Sequence, residues 1–583
     1  MKNKLKNIFK IWSFVNKKRK IQFSYVLILT IFTSLAEMMT LGLLFPFIAT
    51  LSSPEKVFNN EYIQPILLKL DITSPDQLIL PLTCFFIIAV ILSGSLRLLQ
   101  IFFNIRVSYL TGADLSNLIY RLTLYQPYLT HVSRNSSEII NAISSKTMGV
   151  ISAGLLPIIN ILTASIILIS IVFTLMAINV KIASVSFILF GLIYILINFL
   201  TKKKLYANGK LIASESNNVI KFLQEGLGGI REVLIDNNQE VYAKYYSKSI
   251  FPLRKSQANN LFLSQSPRFI IEALAMISII LISFLFIKDP NQFKDILPII
   301  GTLVFGAQRL LPLFQQIYSS ISTIQGNIQS LNDVLILLEQ SSFYKTSNTN
   351  KKLIFSKNIK FNNLNYKYHD DGPVVLKNLN LEINKGDKVG IIGKTGSGKS
   401  TFLDILMSLL YSSEGQLIID DMLINNENSR LWQNNISHVP QNIFLIDNSI
   451  KQNIALGVES HLIDDERVAW ASKNACINEF IDNLPNKYET KVGERGVRLS
   501  GGQMQRIGIA RALYKKANVI IFDEATSALD NQTESDIIKS IQNLDGDITL
   551  IIVAHRLTTL KNCDYIIELK DSKINRIVNF EKI

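Results

Sequence analysis

One octapeptide in this chain has the composition of a phosphate cradle. Gly393-Lys394-Thr395-Gly396-Ser397-Gly398-Lys399-Ser400 sets glycines, a lysine and a hydroxyl at the spacing that lets backbone N–H groups curl around phosphate oxygens. It follows the apolar run Val389–Ile392 and leads into a helical pattern from Thr401 to Leu410, so the turn joins a strand to a helix N-terminus. The helix end adds positive potential, Lys399 reaches the β and γ phosphates, and the Ser400 hydroxyl ligates Mg²⁺. A second run, Asn518–Glu524, is an apolar strand ending in two acids. The pair suits a division of labour in which Asp523 holds the metal and Glu524 accepts a proton from an attacking water. A third, Leu499-Ser500-Gly501-Gly502-Gln503, precedes a helix and presents a hydroxyl and backbone N–H groups without a lysine, a second phosphate-facing cap.

The elements that position these residues belong to an α/β domain over 359–583, where strand runs such as Lys388–Ile392 and Val519–Phe522 alternate with helical patterns. Ahead of it, 341–358 is polar and basic without apolar periodicity and reads as a linker. Residues 1–340 form a different kind of domain. Apolar segments at 21–51, 79–105, 148–178, 181–201, 260–287 and 293–320 are each long enough to cross a bilayer, giving an all-α six-helix transmembrane domain. The lysine-rich amino terminus runs into an apolar stretch too long for a signal-peptide core and reads as a retained first span. Joins near Asn179 and Asp289 are short, and those between spans two and three and between four and five are long. The basic N-terminus and the Lys202, Lys203, Lys204, Lys210 run put the long joins, the N-terminus and the α/β domain in the cytoplasm of a multi-pass cell-membrane protein.

A length of 583 residues and a positive mean hydropathy of +0.25 fit this two-domain division. The net charge of +14 sits beside apolar spans, as topology-setting and lipid-contacting charge does, which argues against a nucleic-acid partner. Cys84, Cys476 and Cys563 are too far apart for a metal site or a disulfide framework and read as buried free thiols.

In their order along the chain, the phosphate loop, the Leu499–Gln503 loop, the acid pair, Ser527-Ala528-Leu529-Asp530 and His555 resemble the ATP-binding cassette family. The resemblance implies that Tyr368 stacks on adenine, that Gln441 contacts the metal and the membrane domain, that Asp530 belongs to the ATP site, and that His555 contacts the γ-phosphate. It also implies ATP and Mg²⁺ as cofactors and a head-to-tail pair of cassettes. Each ATP would then lie between one copy's phosphate loop and the other's Ser500, Gly501, Gly502 and Gln503. No motif is degenerate, so an identical second half-transporter is the simplest partner. Thr490–Gly496, with Glu494 and Arg495, is similar to the loop that marks exporters. The membrane half, with Ala36-Glu37 ahead of Leu43–Phe47, Pro267-Arg268 ahead of Glu272, and Arg309 ahead of Pro312, resembles the bacterial lipid-linked-oligosaccharide flippase branch, which implies a polyprenyl-pyrophosphate glycan or related glycolipid as cargo.

Charges inside spans are costly and usually face a cavity or one another. Arg97, Arg268, Glu272 and Arg309 fall at similar depth, near the inner-leaflet headgroups. Two readings stand: an arginine cluster for a phosphate headgroup, or structural pairing, with Arg268 and Glu272 at i, i+4. Glu37 is either a cavity group or a helix-to-helix hydrogen bond. Export of a drug, peptide or other lipid is the alternative cargo, and an ATP-gated channel or regulator is the alternative class.

Overall fold

Six long helices succeed one another through the first 338 residues: α1 (Lys17–Ser52), α2 (Ile79–Leu124), α3 (Ser136–Ile178), α4 (Val180–Gly228), α5 (Gln239–Phe286) and α6 (Pro290–Leu338). The structure is a computed structural model; it describes residues 10–582 except 53, 59–73, 179, 287–289, 341–351, 370, 526–529, 543–547 and 555. The described residues divide into two units, Met1–Tyr125 with Ser133–Ser341, and Gln126–Val132 with Ser342–Ile583. The short piece from Gln126 to Val132, read from sequence as part of the membrane half, thus clusters with the α/β unit.

The apolar runs predicted as spans lie in these helices, and α2, α4 and α6 continue well beyond them because amphipathic sequence keeps the helical pattern going. The short joins expected near Asn179 and Asp289 lie outside the described residues. Among the described residues, α1, α2 and α3 are long and apolar enough to cross a membrane. Leu98, Phe173 and Phe199 are exposed on this unit, the placement lipid rewards and water does not.

Within the unit, α6 packs against α1, α3, α4 and α5. Its inner face supplies Leu310, Leu313 and Phe314 to a core shared with Leu41, Ile171, Tyr194 and Ile271. Polar groups between the helices bond across them. Gln100 donates to Thr30 Oγ1 at 3.0 Å, Asn104 to Asn160 at 2.9 Å, and Asn208 to Asn260 at 2.8 Å. The helix α3 carries two π turns, Ala142–Lys146 and Ile151–Leu155. The first points the nearly buried Lys146 at Asp333 of α6, with Nζ to Oδ2 at 2.6 Å.

The second unit holds two sheets. An antiparallel one runs in the order β2 (Leu376–Asn384), β1 (Asn358–Tyr366), β4 (Glu414–Ile419), β5 (Met422–Leu423). The other has the order β10 (Lys573–Val578), β9 (Tyr565–Lys570), β3 (Lys388–Gly393), β8 (Thr549–Val553), β7 (Val519–Asp523), β6 (Ile436–Val439). It is parallel except for β10, and its central strands are apolar throughout because both faces are covered. Trp432, Phe361 and Phe402 anchor the core between the sheets, and the Trp432 indole donates to the Leu406 carbonyl at 2.7 Å. A tight turn after β4 turns Asp420 back onto the entry to β1. Its carboxylate accepts from the backbone N–H groups of Ser356, Lys357 and Asn358 and from the Ser356 hydroxyl. Those bonds hold its carboxyl below the usual carboxylate range, against the opposing effect of partial burial.

One expectation is corrected. Of the three thiols only Cys563 is buried; Cys476 is half-buried and Cys84, on the outward side of α2, is exposed. A cysteine on an apolar span can face lipid as readily as core, and periodicity does not separate the two.

Candidate functional site

The parallel sheet sets the chemistry at one edge. β3, β7 and β8 lie side by side, with Asp523 paired to Val553 and Ile391 to Val553, so the end of β3 and the acid pair flank the end of β8. In open α/β sheets ligands bind beyond the carboxyl ends of the strands, because loops and helix N-termini converge there. The phosphate loop leaves β3 at Gly393 and enters α7 (Lys399–Leu406). A Cβ on Gly393 would lie 2.5 Å from both the Leu569 carbonyl and Ser397 Oγ. Gly398 has φ +99, and a Cβ there would meet Leu376 at 2.8 Å, so only glycine leaves room for the turn. Lys399 Nζ lies across the loop, donating to the Gly393 carbonyl at 2.7 Å and the Lys394 carbonyl at 3.3 Å. Ser400, Lys394, Thr395 and Gly396 are exposed, whereas Ser397 and Thr401 are buried. The helix is shorter than the predicted Thr401–Leu410 pattern, since Ser408 turns left-handed at φ +53.

Asp523 and Glu524 close β7. Burial and then the Glu524 charge push the Asp523 carboxyl up, and Lys399 draws it back. Glu524 sits at φ +51, a strained conformation that swings its side chain off the strand line, and Gln441 Nε2 donates to its Oε2 at 2.7 Å. Gln441 follows the end of β6, so the glutamine and the acid called catalytic are in direct contact. The oxygen donors Ser400, Gln441 and Asp523 are hard ligands that fit Mg²⁺.

Sequence reading passed over Asp404. It lies on α7, five positions past Lys399, and burial followed by the Asp523 charge raises its carboxyl to about 6. Its signal was available: an acid on the otherwise apolar inner face of the helix leaving a phosphate loop.

Tyr368 stands edge-on to Tyr366, with ring centroids 5.1 Å apart, and its hydroxyl lies 3.1 Å from Thr401 Oγ1. Ser500 caps α8 (Gly501–Tyr514) in a reciprocal capping box: its Oγ accepts from the Gln503 N–H at 3.3 Å and Gln503 Oε1 accepts from the Ser500 N–H at 2.8 Å. The Ser500 hydroxyl keeps its donor capacity for an acceptor outside the box. No hydrogen bond among the described residues joins this loop to the phosphate loop of the same chain. Asp530 caps α9 (Asn531–Gln542), accepting from the Thr533 N–H at 2.9 Å and the Thr533 hydroxyl at 2.7 Å. His555 and Ser527–Leu529 lie outside the described residues.

Two family models match, one described as ABC transporter transmembrane region over residues 24–304 and one as ABC transporter over 376–527, together most of the chain. The chain belongs to the ABC transporter family. Its second unit is this family's ATP-binding cassette, and ABC transporters are ATP-hydrolysing proteins. The chain is similar to the leukotoxin translocation ATP-binding protein LktB of Mannheimia glucosida, 43% identical over 219 residues, 37% of this chain and 30% of that protein. The LktB of Bibersteinia trehalosi matches with the same identity and coverage. The chain therefore spans about 30% of the length of these curated relatives. Among solved structures, a bacterial Atm1-family ABC exporter with ATP bound superposes with a TM-score of 0.76 at 21% identity, covering 97% of this chain and 96% of that one, a likeness of fold.

In the transmembrane region of this ABC transporter, the charges expected at one depth form two groups. Glu37, only 1% exposed in α1, accepts at Oε1 from Arg97 of α2 and Arg309 of α6, both at 3.3 Å. Its buried Oε2 has no hydrogen-bond partner among the described residues. The two arginine side chains keep 32% and 40% exposure. Arg268 and Glu272 pair separately on the surface of α5 at 2.6 Å.

Proposed function

We propose that this chain is one half of an ATP-driven exporter that flips an anionic amphiphile, a polyprenyl-pyrophosphate oligosaccharide or related glycolipid, across the cell membrane as a homodimer with its cassettes in the cytoplasm. The observation that carries the cargo is the charge balance around Glu37. One buried carboxylate is shared by two guanidiniums, so the cluster keeps a surplus positive charge on half-exposed groups, whereas Arg268 and Glu272 neutralise each other. Guanidinium forks are well matched to phosphate oxygens, and a surplus cation inside a span is tolerated best where an anion visits.

In the proposed cycle, ATP binding closes two cassettes head to tail, and the helices near 109–131 and 222–238 transmit the closure. ATP drives this insofar as it binds the closed pair better than the open one. Lys399 and the loop amides hold the phosphates, Tyr368 the adenine, and Ser500, Gly501, Gly502 and Gln503 cap the nucleotide of the partner copy, with Asp530 and His555 completing the site. Ser400, Gln441 and Asp523 would hold Mg²⁺, which would supply neutralisation of phosphate charge. Glu524, oriented by Gln441, takes the proton of the attacking water.

The test is ATP hydrolysis by the protein in liposomes with and without a polyprenyl-pyrophosphate oligosaccharide, in the parent, Arg309→Ala and Arg97→Ala. Stimulation in the parent that disappears in both variants is expected. Equal stimulation in all three sinks the headgroup reading. The similarity to leukotoxin translocation proteins favours a second reading, export of a polypeptide, which predicts stimulation by a peptide and none by the lipid.

A further inference from the structure

The helix that leaves the phosphate loop ends on a residue at odds with its position. α7 closes in a Schellman motif: the Ser408 N–H donates to the Ile405 carbonyl and the Leu409 N–H to the Asp404 carbonyl, both at 2.8 Å. That motif needs one left-handed residue, and glycine or asparagine is its usual occupant because most side chains are strained there. Here the residue is Ser408, at φ +53. It is 1% exposed, and its Oγ has no hydrogen-bond partner among the described residues. Ser408 thus breaks two local rules at once, backbone preference and polar satisfaction, and a glycine would remove both costs. Positions that break such rules without a gain in packing are where binding sites are found.

A cavity of about 350 Å³ lies beside it, between the end of α7 and the β4–β5 hairpin, and Ser408 is part of its lining. Ile405, Leu410, Leu417 and Ile424 give it buried aliphatic walls. Gln416, Asn425 and Asn426 give it an exposed rim of neutral amides. None of the described lining residues bears a charge, so a phosphate, carboxylate or ammonium would lose water there and gain no counter-ion. The phosphate loop enters α7 at its opposite end, about 12 Å away along the helix axis.

We propose that this cavity is a second ligand site of the cassette, separate from the ATP site, for an uncharged small molecule with one ring and hydroxyl groups, a phenol or cyclic alcohol. The inference is independent of the cargo. A volume at the small end of ligand pockets suits a single ring, which fills the space among the aliphatic walls. One ligand hydroxyl pairs with Ser408 Oγ, which can donate or accept, and a second reaches the rim amides. The serine is then kept because its hydroxyl has a partner when the site is filled, at the expense of an easier helix end when it is empty.

The experiment uses the full-length protein in nanodiscs with a saturating non-hydrolysable ATP analogue, so that the nucleotide site is occupied. Saturation-transfer NMR follows resorcinol, with empty nanodiscs subtracted and benzoate, a ring of similar size with a charge, as the comparison. Resorcinol should bind saturably and benzoate should not. Ser408→Ala should weaken resorcinol about threefold to tenfold, the size of one neutral hydrogen bond, yet melt no lower than the parent, because a stranded buried hydroxyl has been removed. Ser408→Gly should bind as weakly as Ser408→Ala and melt higher than the parent, since it relieves the left-handed strain as well. Leu423→Trp, which places a larger side chain at an exposed position of the lining, should abolish binding. A merely structural serine would lower the melting temperature on replacement and leave the affinity alone. Absence of saturable resorcinol binding, equal binding of benzoate, or an affinity unchanged by Ser408→Ala or by Leu423→Trp would each overturn the proposal.

Discussion

Glu524 and Glu37 are both carboxylates gripped by polar side chains, and the contrast between them separates the two halves of this transporter. Glu524 stands at the open end of a strand, in strained backbone, with Gln441 donating from the neighbouring strand end. Its surroundings are a strand edge that would exist without it. Glu37 lies mid-helix, buried, and its partners come from helices distant in sequence. Remove it and the contact among α1, α2 and α6 loses its centre. A cassette carboxylate is supported by the fold; a membrane carboxylate supports it.

That contrast can be broken by substitution. The largest effect is expected from Glu524→Gln: if Glu524 is the proposed general base, ATP turnover should fall by about a hundredfold or more while thermal unfolding stays near parental. Phosphate release and a melting curve on the same sample check it, and a large drop in melting temperature would erase the distinction drawn here. Glu37→Ala should do the reverse. Leaving two guanidiniums without their shared counter-ion should destabilise the membrane unit by about 1 to 3 kcal/mol, less than for a fully buried pair because both arginines reach solvent. A detergent melting series reads it, with Arg268→Ala, which breaks an exposed i, i+4 pair worth about 0.3–0.5 kcal/mol, as the reference. If the two variants melt alike, Glu37 is not a hub.

Smaller effects sharpen the cassette side. Ser500→Ala removes half of a capping box and should cost about 1 kcal/mol, seen as faster hydrogen exchange at the amide of Gln503. Protection equal to the parent would mean the box carries no stability. Asp404 gives a pH-dependent case. Its carboxyl is raised to about 6, so its contribution to stability is complete below the unfolded value of about 4 and is lost as pH climbs through 6. Asp404→Asn should therefore melt higher than the parent at pH 7.5, with the gain shrinking as pH falls towards 4. A gain that does not change with pH would place the carboxyl in water.

The same contrast explains what could be read from residues alone. The phosphate loop is contiguous because its work is done by neighbouring backbone amides around Gly393 and Gly398, and a short window of sequence contains all of it. The placing of Asp523 and Glu524 at a strand end was legible because Asn518–Glu524 is an apolar run that closes in two acids. The long helices were legible from their apolar runs. Glu37 was not resolved between two roles, since nothing local distinguishes a cavity carboxylate from an interhelical one; that depends on Arg97 and Arg309, which only packing brings to it. Asp404 escaped because a single acid in a helix reads as a solvated face until the sheet beside it is in place. Cys84 was misplaced because the outward side of a span in lipid is as apolar in sequence as the inward one.

The clasp formed by Asp420 has a mechanical meaning. The chain arriving at β1 is gripped at Ser356, Lys357 and Asn358 by a single side chain rooted in the turn after β4. A pull along the incoming strand loads these bonds together, in shear, rather than one at a time as in a peeling zipper, and it passes directly into a second strand of the same sheet. Asp420 thus works as an anchor bolt: tension reaching residue 356 moves the antiparallel sheet as a block instead of stripping its first strand.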